Sequence, residues 1–164
     1  MPDRPIADRA AMRYAISQAV LFVLTVAHAL LTWPVADAVT LFVGGAAVAF
    51  AAEAVAIRAG LFTHYLRPRL AGVPLTILLA WPAVVYVSVR LASLLVDGAV
   101  AIAATAAVIG TLADLVADPP AVADGAWEFH RADIPGPWVR GVPWWNFAGW
   151  LLVVFVTAML PHWL

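Results

Sequence analysis

Asp114 and Asp118 close a long apolar run, and a helix through Asp-x-x-x-Asp would carry both carboxyl groups on one face. Glu53 sits inside another apolar run, about a turn from its arginine-marked end at Arg58. Ionisable groups inside a membrane span are costly, and each is a functional candidate by default. If the two runs end at the same membrane face, all three carboxyl groups can meet at one depth. Like charges that close in a poorly solvated place cannot all ionise, so at least one group is expected to keep a proton it can donate. Two plainer readings stand beside this one: Glu53 paired with Arg58 or a loop arginine, and Asp114 and Asp118 solvated at a helix end.

The segment from Asp114 to Trp150 also concentrates aromatic side chains: Trp127, Phe129, His130, Trp138, Trp144, Trp145, Phe147 and Trp150, with Tyr65 from an earlier loop. It holds half of the acidic residues and the only asparagine, Asn146. Tryptophans in membrane proteins are mostly interfacial anchors, which is the reading for Trp138 and Trp163. Trp144, Trp145 and Trp150 flank an amide that an anchor belt does not need. Indole faces attract cations, so an acid ringed by indoles suits chemistry that passes through a carbocation. His64 and His130 are either acid–base groups or ordinary hydrogen-bonding residues.

These side chains must be positioned by membrane helices. The chain has 164 residues, of which 65% are hydrophobic, and a mean hydropathy of +0.94, well above the roughly 45–50% apolar content of soluble domains. A span needs about 20 apolar residues, and five candidates fall near 14–34, 36–57, 73–96, 98–117 and 147–163. The expected fold is all-α: one polytopic integral membrane domain over 1–164, a bundle of about five spans in the cell membrane. All nine basic residues are arginines. Arg4, Arg9 and Arg13 precede the first span, Arg58, Arg67 and Arg69 lie between the second and third, and Arg131 and Arg140 between the fourth and fifth; only Arg90 lies toward the other side. By the positive-inside rule the N-terminus is cytoplasmic. Ala36-Asp37-Ala38 looks like a signal-peptide cleavage site, but the run before it is too long for a typical signal. The net charge of −1 argues against a nucleic-acid partner, and the absence of cysteine excludes disulfides and thiolate metal sites.

Both long loops end alike, with an arginine, then Gly-Val-Pro, then an apolar helix: Gly72-Val73-Pro74 and Gly141-Val142-Pro143. Proline suits the first turn of a helix. The two sites are either similar helix starts or a weak internal repeat. The second loop, about 118–143, contains Pro119-Pro120, Pro135 and Pro137 and is expected to be irregular rather than helical. Gly44, Gly45, Ala46 and Ala47 would permit close helix packing, including with a second copy.

Taken in order, Glu53, Gly60, Tyr65, Gly72-Val73-Pro74, Trp81, Asp114-x-x-x-Asp118-Pro119, Trp127, Phe129, Gly141-Val142-Pro143 and Asn146-Phe147-x-Gly149-Trp150 resemble the carotenoid biosynthesis protein family, which includes bisanhydrobacterioruberin hydratase and gamma-carotene hydratase. The likeness covers about 53–150 and is that of a short member, with the glycine-rich stretch after Gly60 reduced to Leu61–Tyr65. It implies a hydratase of the hydro-lyase type, adding water to the terminal isopropylidene double bond of a long isoprenoid polyene such as a bacterioruberin precursor, without a cofactor or metal. On this reading Asp114 or Asp118 is the acid and Glu53 its partner, with Trp127 and Trp144 shielding the cation. Asn146 binds water or the new hydroxyl, and Tyr65, His130, Trp145 and Trp150 complete the substrate site. The implied partners are the carotenoid, the lipid bilayer, and a second copy or other membrane enzymes of carotenoid synthesis. Two alternatives are a non-catalytic carotenoid-binding or assembly subunit, and a prenyltransferase-like protein using Asp-x-x-x-Asp to hold magnesium.

Overall fold

The computed structural model of the chain describes residues 8–130 and 133–163; Arg4, Arg131 and the side chain of Trp163 lie outside the described residues. Five helices are long and apolar enough to cross a membrane: α1 (Asp8–Thr32), α2 (Val35–Arg58), α3 (Leu75–Ala92), α4 (Ala99–Ala123) and α5 (Trp144–Trp163). The chain is a multi-pass membrane helix bundle. Apolar runs fold this way in lipid because a helix satisfies every backbone N–H and C=O within itself. Polar side chains within the spans follow the same logic: Thr25 and Ser88 donate back to the carbonyls of Leu21 and Val84, at 2.8 and 2.9 Å. α3 is the most buried span, packed by α1, α2 and α4, while α5 packs on α4 and α2.

α4 does not stop at its prolines. It runs through Pro119 and Pro120 to Ala123, so the expectation of an irregular loop from 118 onward is corrected. The prolines remove only their own N–H donors, near the helix end, and Pro120 still accepts from the Asp124 N–H at 2.9 Å. Burial of Asp118, Pro119 and Ala121 favours continuing the helix over unwinding it. The long connections are likewise ordered, as six short strands: β1 (Phe62–His64), β2 (Arg69–Leu70), β3 (Val73–Pro74), β4 (Trp127–Phe129), β5 (Trp138–Val139) and β6 (Val142–Pro143).

These strands reveal a repeat much deeper than Gly-Val-Pro. β2–β3 and β5–β6 are matching hairpins, turned by Ala71-Gly72 at φ 50° and 88° and by Arg140-Gly141 at φ 49° and 88°. Two consecutive positive-φ residues make the tight turn that matches strand twist, and glycine takes the second position without strain. Each hairpin is closed by the same bond, Leu75 N–H to Pro68 O at 2.9 Å and Trp144 N–H to Pro137 O at 3.1 Å. α2 and α4 end in the same cap, with Gly60 at φ 70° and Gly125 at φ 76°. β1 and β4 then pair antiparallel about Thr63↔Glu128, flanked by Tyr65 N–H to Ala126 O at 2.8 Å and His130 N–H to Leu61 O at 2.7 Å. The unit α2-β1-β2-β3-α3 is therefore repeated as α4-β4-β5-β6-α5, with the two related by an approximate two-fold axis through the β1–β4 pair.

The helices obey the same relation. A Cβ on Gly45 would meet Thr157 Cγ2 at 2.8 Å, and one on Gly110 would meet Ser88 Oγ at 3.3 Å and Val154 Cγ2 at 3.1 Å. Gly44 and Gly45 thus serve packing inside the bundle, against α5, rather than a face left free for a second copy. The strands, the start of α1 and the adjacent helix ends share one end of the molecule, joined there by the Arg13–Asp124 ion pair.

Replacing Gly110 with leucine should overpack the α4–α5 and α4–α3 contacts and destabilise the bundle by about 1–3 kcal/mol, read as a lower thermal unfolding temperature in detergent. Gly149→Leu, where an added Cβ meets nothing within 4 Å, should leave that temperature unchanged.

Candidate active site

All five spans contribute to one cavity of about 300 Å3. β1 and β4 line it with Phe62, His64, Trp127 and Phe129, and α1 with Tyr14, Ser17, Gln18 and Leu21. Glu53 of α2, Trp81 of α3, Asp114 and Asp118 of α4, and Asn146 and Trp150 of α5 complete it. Asp114 and Asp118 are buried, 3% and 7% exposed, and the Glu53 side chain is 12% exposed.

The polar groups satisfy one another in two clusters. Asn146 Nδ2 donates to Asp114 Oδ2 at 2.8 Å and to Asp118 Oδ2 at 3.0 Å, so one amide spans both aspartates. Glu53 Oε2 lies 2.7 Å from His64 Nε2, and Glu53 Oε1 accepts from Trp81 Nε1 at 3.3 Å. Arg58 is not the partner of Glu53; His64 is. His64 is 4% exposed, and its Nδ1 is buried without a hydrogen-bond partner among the described residues. Its carbonyl accepts from Arg69 Nη1, which ties β1 to the first hairpin. Between the clusters the Trp81 and Trp150 rings stack with centroids 3.9 Å apart and planes 13° apart.

The two-fold relation explains the arrangement. Glu53 and Asp118 stand at the same spacing before Gly60 and Gly125, and Trp81 and Trp150 at the same spacing after the two Gly-Val-Pro turns. Each half therefore delivers one carboxylate and one indole to the axis. The partners of the carboxylates differ: His64 corresponds to Phe129, and Asn146 to Ile77, so the halves share a scaffold but not a chemistry.

Of the residues singled out from sequence, the structure gathers Glu53, Asp114, Asp118, Trp127, Asn146 and Trp150 around this cavity. Trp145 lines a smaller adjoining cavity instead. Tyr65, His130 and Trp144 line neither. The Tyr65 hydroxyl donates to Glu128 Oε2 at 3.0 Å, His130 Nε2 meets Thr63 Oγ1 at 2.9 Å, and Trp144 Nε1 donates to Pro135 O at 3.0 Å. The first two hold the strand pair together and the third secures the second hairpin. Sequence reasoning did not put His64, Trp81, Phe62 or Tyr14 in the site. Trp81 could have been found by sliding one half of the chain along the other, which sets it on Trp150; the same register sets His64 on Phe129 and gives His64 no such signal. Among the described residues no three His, Asp or Glu side chains converge as a metal site would, and no arginine lines the cavity.

This geometry can hold a proton at the aspartate pair, orient a small polar molecule at Glu53–His64, and present aromatic faces to an apolar ligand between them. Comparison with known proteins points the same way. No solved structure matches the chain. A segment of 49 residues, 30% of this chain, is 49% identical to bisanhydrobacterioruberin hydratase from Haloarcula japonica, of which it covers 15%. The family profile described as carotenoid biosynthesis protein matches residues 14–164, nearly the whole chain and every residue of the cavity. The chain belongs to the carotenoid biosynthesis protein family.

Proposed function

We propose that this chain is a carotenoid hydratase that adds water across the terminal isopropylidene double bond of a long polyene, giving a tertiary alcohol. The observation that carries the reading is the convergence of Glu53, Asp114 and Asp118 in one aromatic-lined cavity within a membrane-spanning bundle. The family, and the likeness of one segment to a hydratase, support it.

The aspartate pair is the acid. Two carboxyl groups one helical turn apart and shielded from water cannot both be ionised, so one retains a proton. Asn146, donating to both, keeps them aimed at one point. The alkene π electrons take that proton at the less substituted carbon, forming a C–H bond and leaving a tertiary carbocation. The indole faces of Trp81, Trp127 and Trp150 stabilise the cation. Water held by Glu53 attacks it, forming the C–O bond and giving its spare proton to the Glu53–His64 pair. Return of that proton through water to the aspartates resets the site, so the net change is one water added, with no redox step. Arg13, Arg58, Arg67, Arg69 and Arg140 lie toward the strand end of the bundle; the positive-inside rule supports a cytoplasmic location for that end, where water would be at hand. Metal-dependent prenyl transfer fits poorly, because a diphosphate needs cationic side chains and none lines the cavity among the described residues.

The test is the mass of carotenoids extracted from a carotenoid-producing host with and without the chain. A gain of one water per end group is expected. Unchanged pigment that co-purifies with the protein would replace this reading with that of a non-catalytic carotenoid-binding subunit. Asp114→Asn, Asp118→Asn and Glu53→Gln should each lower hydration by about 100-fold or more, the usual scale of a lost acid or base, at unchanged protein level; full turnover in all three would refute the assignment. His64→Gln keeps a side chain able to hydrogen-bond to Glu53 but accepts no proton. It should slow hydration by about 10–100-fold, less than removing an acid–base group outright, while pigment retention stays the same; a loss of retention instead would make His64 a packing residue only.

A further inference from the structure

A second cavity of about 160 Å3 adjoins the first. The two share Glu53, Phe62, Trp81, Asn146 and Trp150, so these residues form the boundary between them. The smaller one opens between α2 and α5, walled by Ala52, Ala56, Gly149 and Val153. Under the internal two-fold relation Ala52 corresponds to Ala117, Gly149 to Ala80 and Val153 to Val84, all of which line the larger cavity. The two cavities are symmetry mates on either side of the Trp81–Trp150 stack.

What distinguishes them is α1. It packs on α3 and lines the larger cavity with Tyr14, Ser17, Gln18 and Leu21. Among the described residues no helix occupies the corresponding position against α5. The α1 wall is also polar, and Gln18 Oε1 is buried there without a partner. Between α2 and α5 the walls carry the small side chains of Ala52, Ala56 and Val153, with Trp145 beside them, and among the described residues no helix covers this side; Gly149 is exposed there, and an added Cβ would meet nothing within 4 Å.

We infer that the smaller cavity is a lateral portal through which a long linear unsaturated hydrocarbon enters from the bilayer, passing between α2 and α5 so that its end group reaches the carboxylates of the larger cavity. Gly149 is the gatepost, since it lines the passage and has no side chain to narrow it. The inference rests on the hydratase reading for the identity of the end group. The portal itself requires only that a polyene bind.

The test uses the full chain in lipid nanodiscs supplied with lycopene, a linear polyene with an isopropylidene group at each end. Two quantities are read: lycopene retained per protein by visible absorbance, and water-added product by mass. Gly149→Trp should lower both by about tenfold or more, a loss of some 1.4 kcal/mol of binding; Gly149→Leu should act in the same direction to a smaller extent. Leu152→Trp, on the exposed lipid face, should change neither. Wild-type values for Gly149→Trp, with both readouts lost in Gln18→Trp, would put entry at the α1 side and overturn the portal. If the wild type retains lycopene without hydrating it, the hydratase reading fails while retention in Gly149→Trp still decides the portal. If the wild type neither retains nor hydrates lycopene, both fail.

Discussion

A carboxyl group buried in a hydrocarbon-rich bundle has no water to turn to, and leaving it unpaired costs several kcal/mol. The architecture around Glu53, Asp114 and Asp118 follows from meeting that demand. Asn146 must come from α5 to bridge the aspartates of α4, and His64 must be lifted by β1 to meet Glu53 of α2. Asn146 is delivered by a helix, whereas His64 is delivered by a strand at the helix ends. The β1–β4 pair supplies the roof, and the Arg69 bond to the His64 carbonyl fixes its height.

The internal repeat makes this economical. One unit of helix, capping glycine, strand, hairpin and helix, used twice, brings a carboxylate and an indole to the axis from each side. Identical halves would bring identical chemistry, and two equivalent acids cannot act as proton donor and acceptor at once. On the hydratase reading, divergence at His64 against Phe129, Asn146 against Ile77 and Asp114 against Ala49 separates the roles. One carboxylate is set beside a group that accepts protons, and the other beside a second carboxyl group and an amide that only donates to it. Pairs of titratable groups whose surroundings differ in this way are how proteins assign acid and base.

The spans were legible because hydropathy over about 20 residues is a strong signal, and the carboxylates because charge in such runs is rare. The aromatic cluster was legible as a cluster but not as contacts. Trp144 and Trp150 look alike in sequence, yet one anchors a hairpin through Pro135 and the other stacks on Trp81. Pro119-Pro120 was read as a break because proline lacks an N–H, whereas near a helix end the lost donors matter little beside the burial of Asp118 and Pro119. The repeat hid behind the short shared string Gly-Val-Pro. Its remaining matches are scattered single residues, such as Gly60 with Gly125 and Trp81 with Trp150, or matches of backbone conformation, such as Ala71 with Arg140, where side-chain identity carries no trace of the common φ.

α1 is the one span outside the repeat, and it is what turns a symmetric scaffold into a directional one. Were the bundle only two repeats, both cavities would face lipid alike, and a hydrocarbon could approach the carboxylates from either side with its reacting carbon presented to acid or base at random. With Tyr14, Ser17 and Gln18, α1 covers the larger cavity on the α3 side and leaves the smaller cavity, between α2 and α5, without such a cover. On the portal reading, a polyene admitted from that side meets Glu53 and Asn146, which line both cavities, before the aspartates, which line only the larger. The order of contact is therefore set by which face α1 covers.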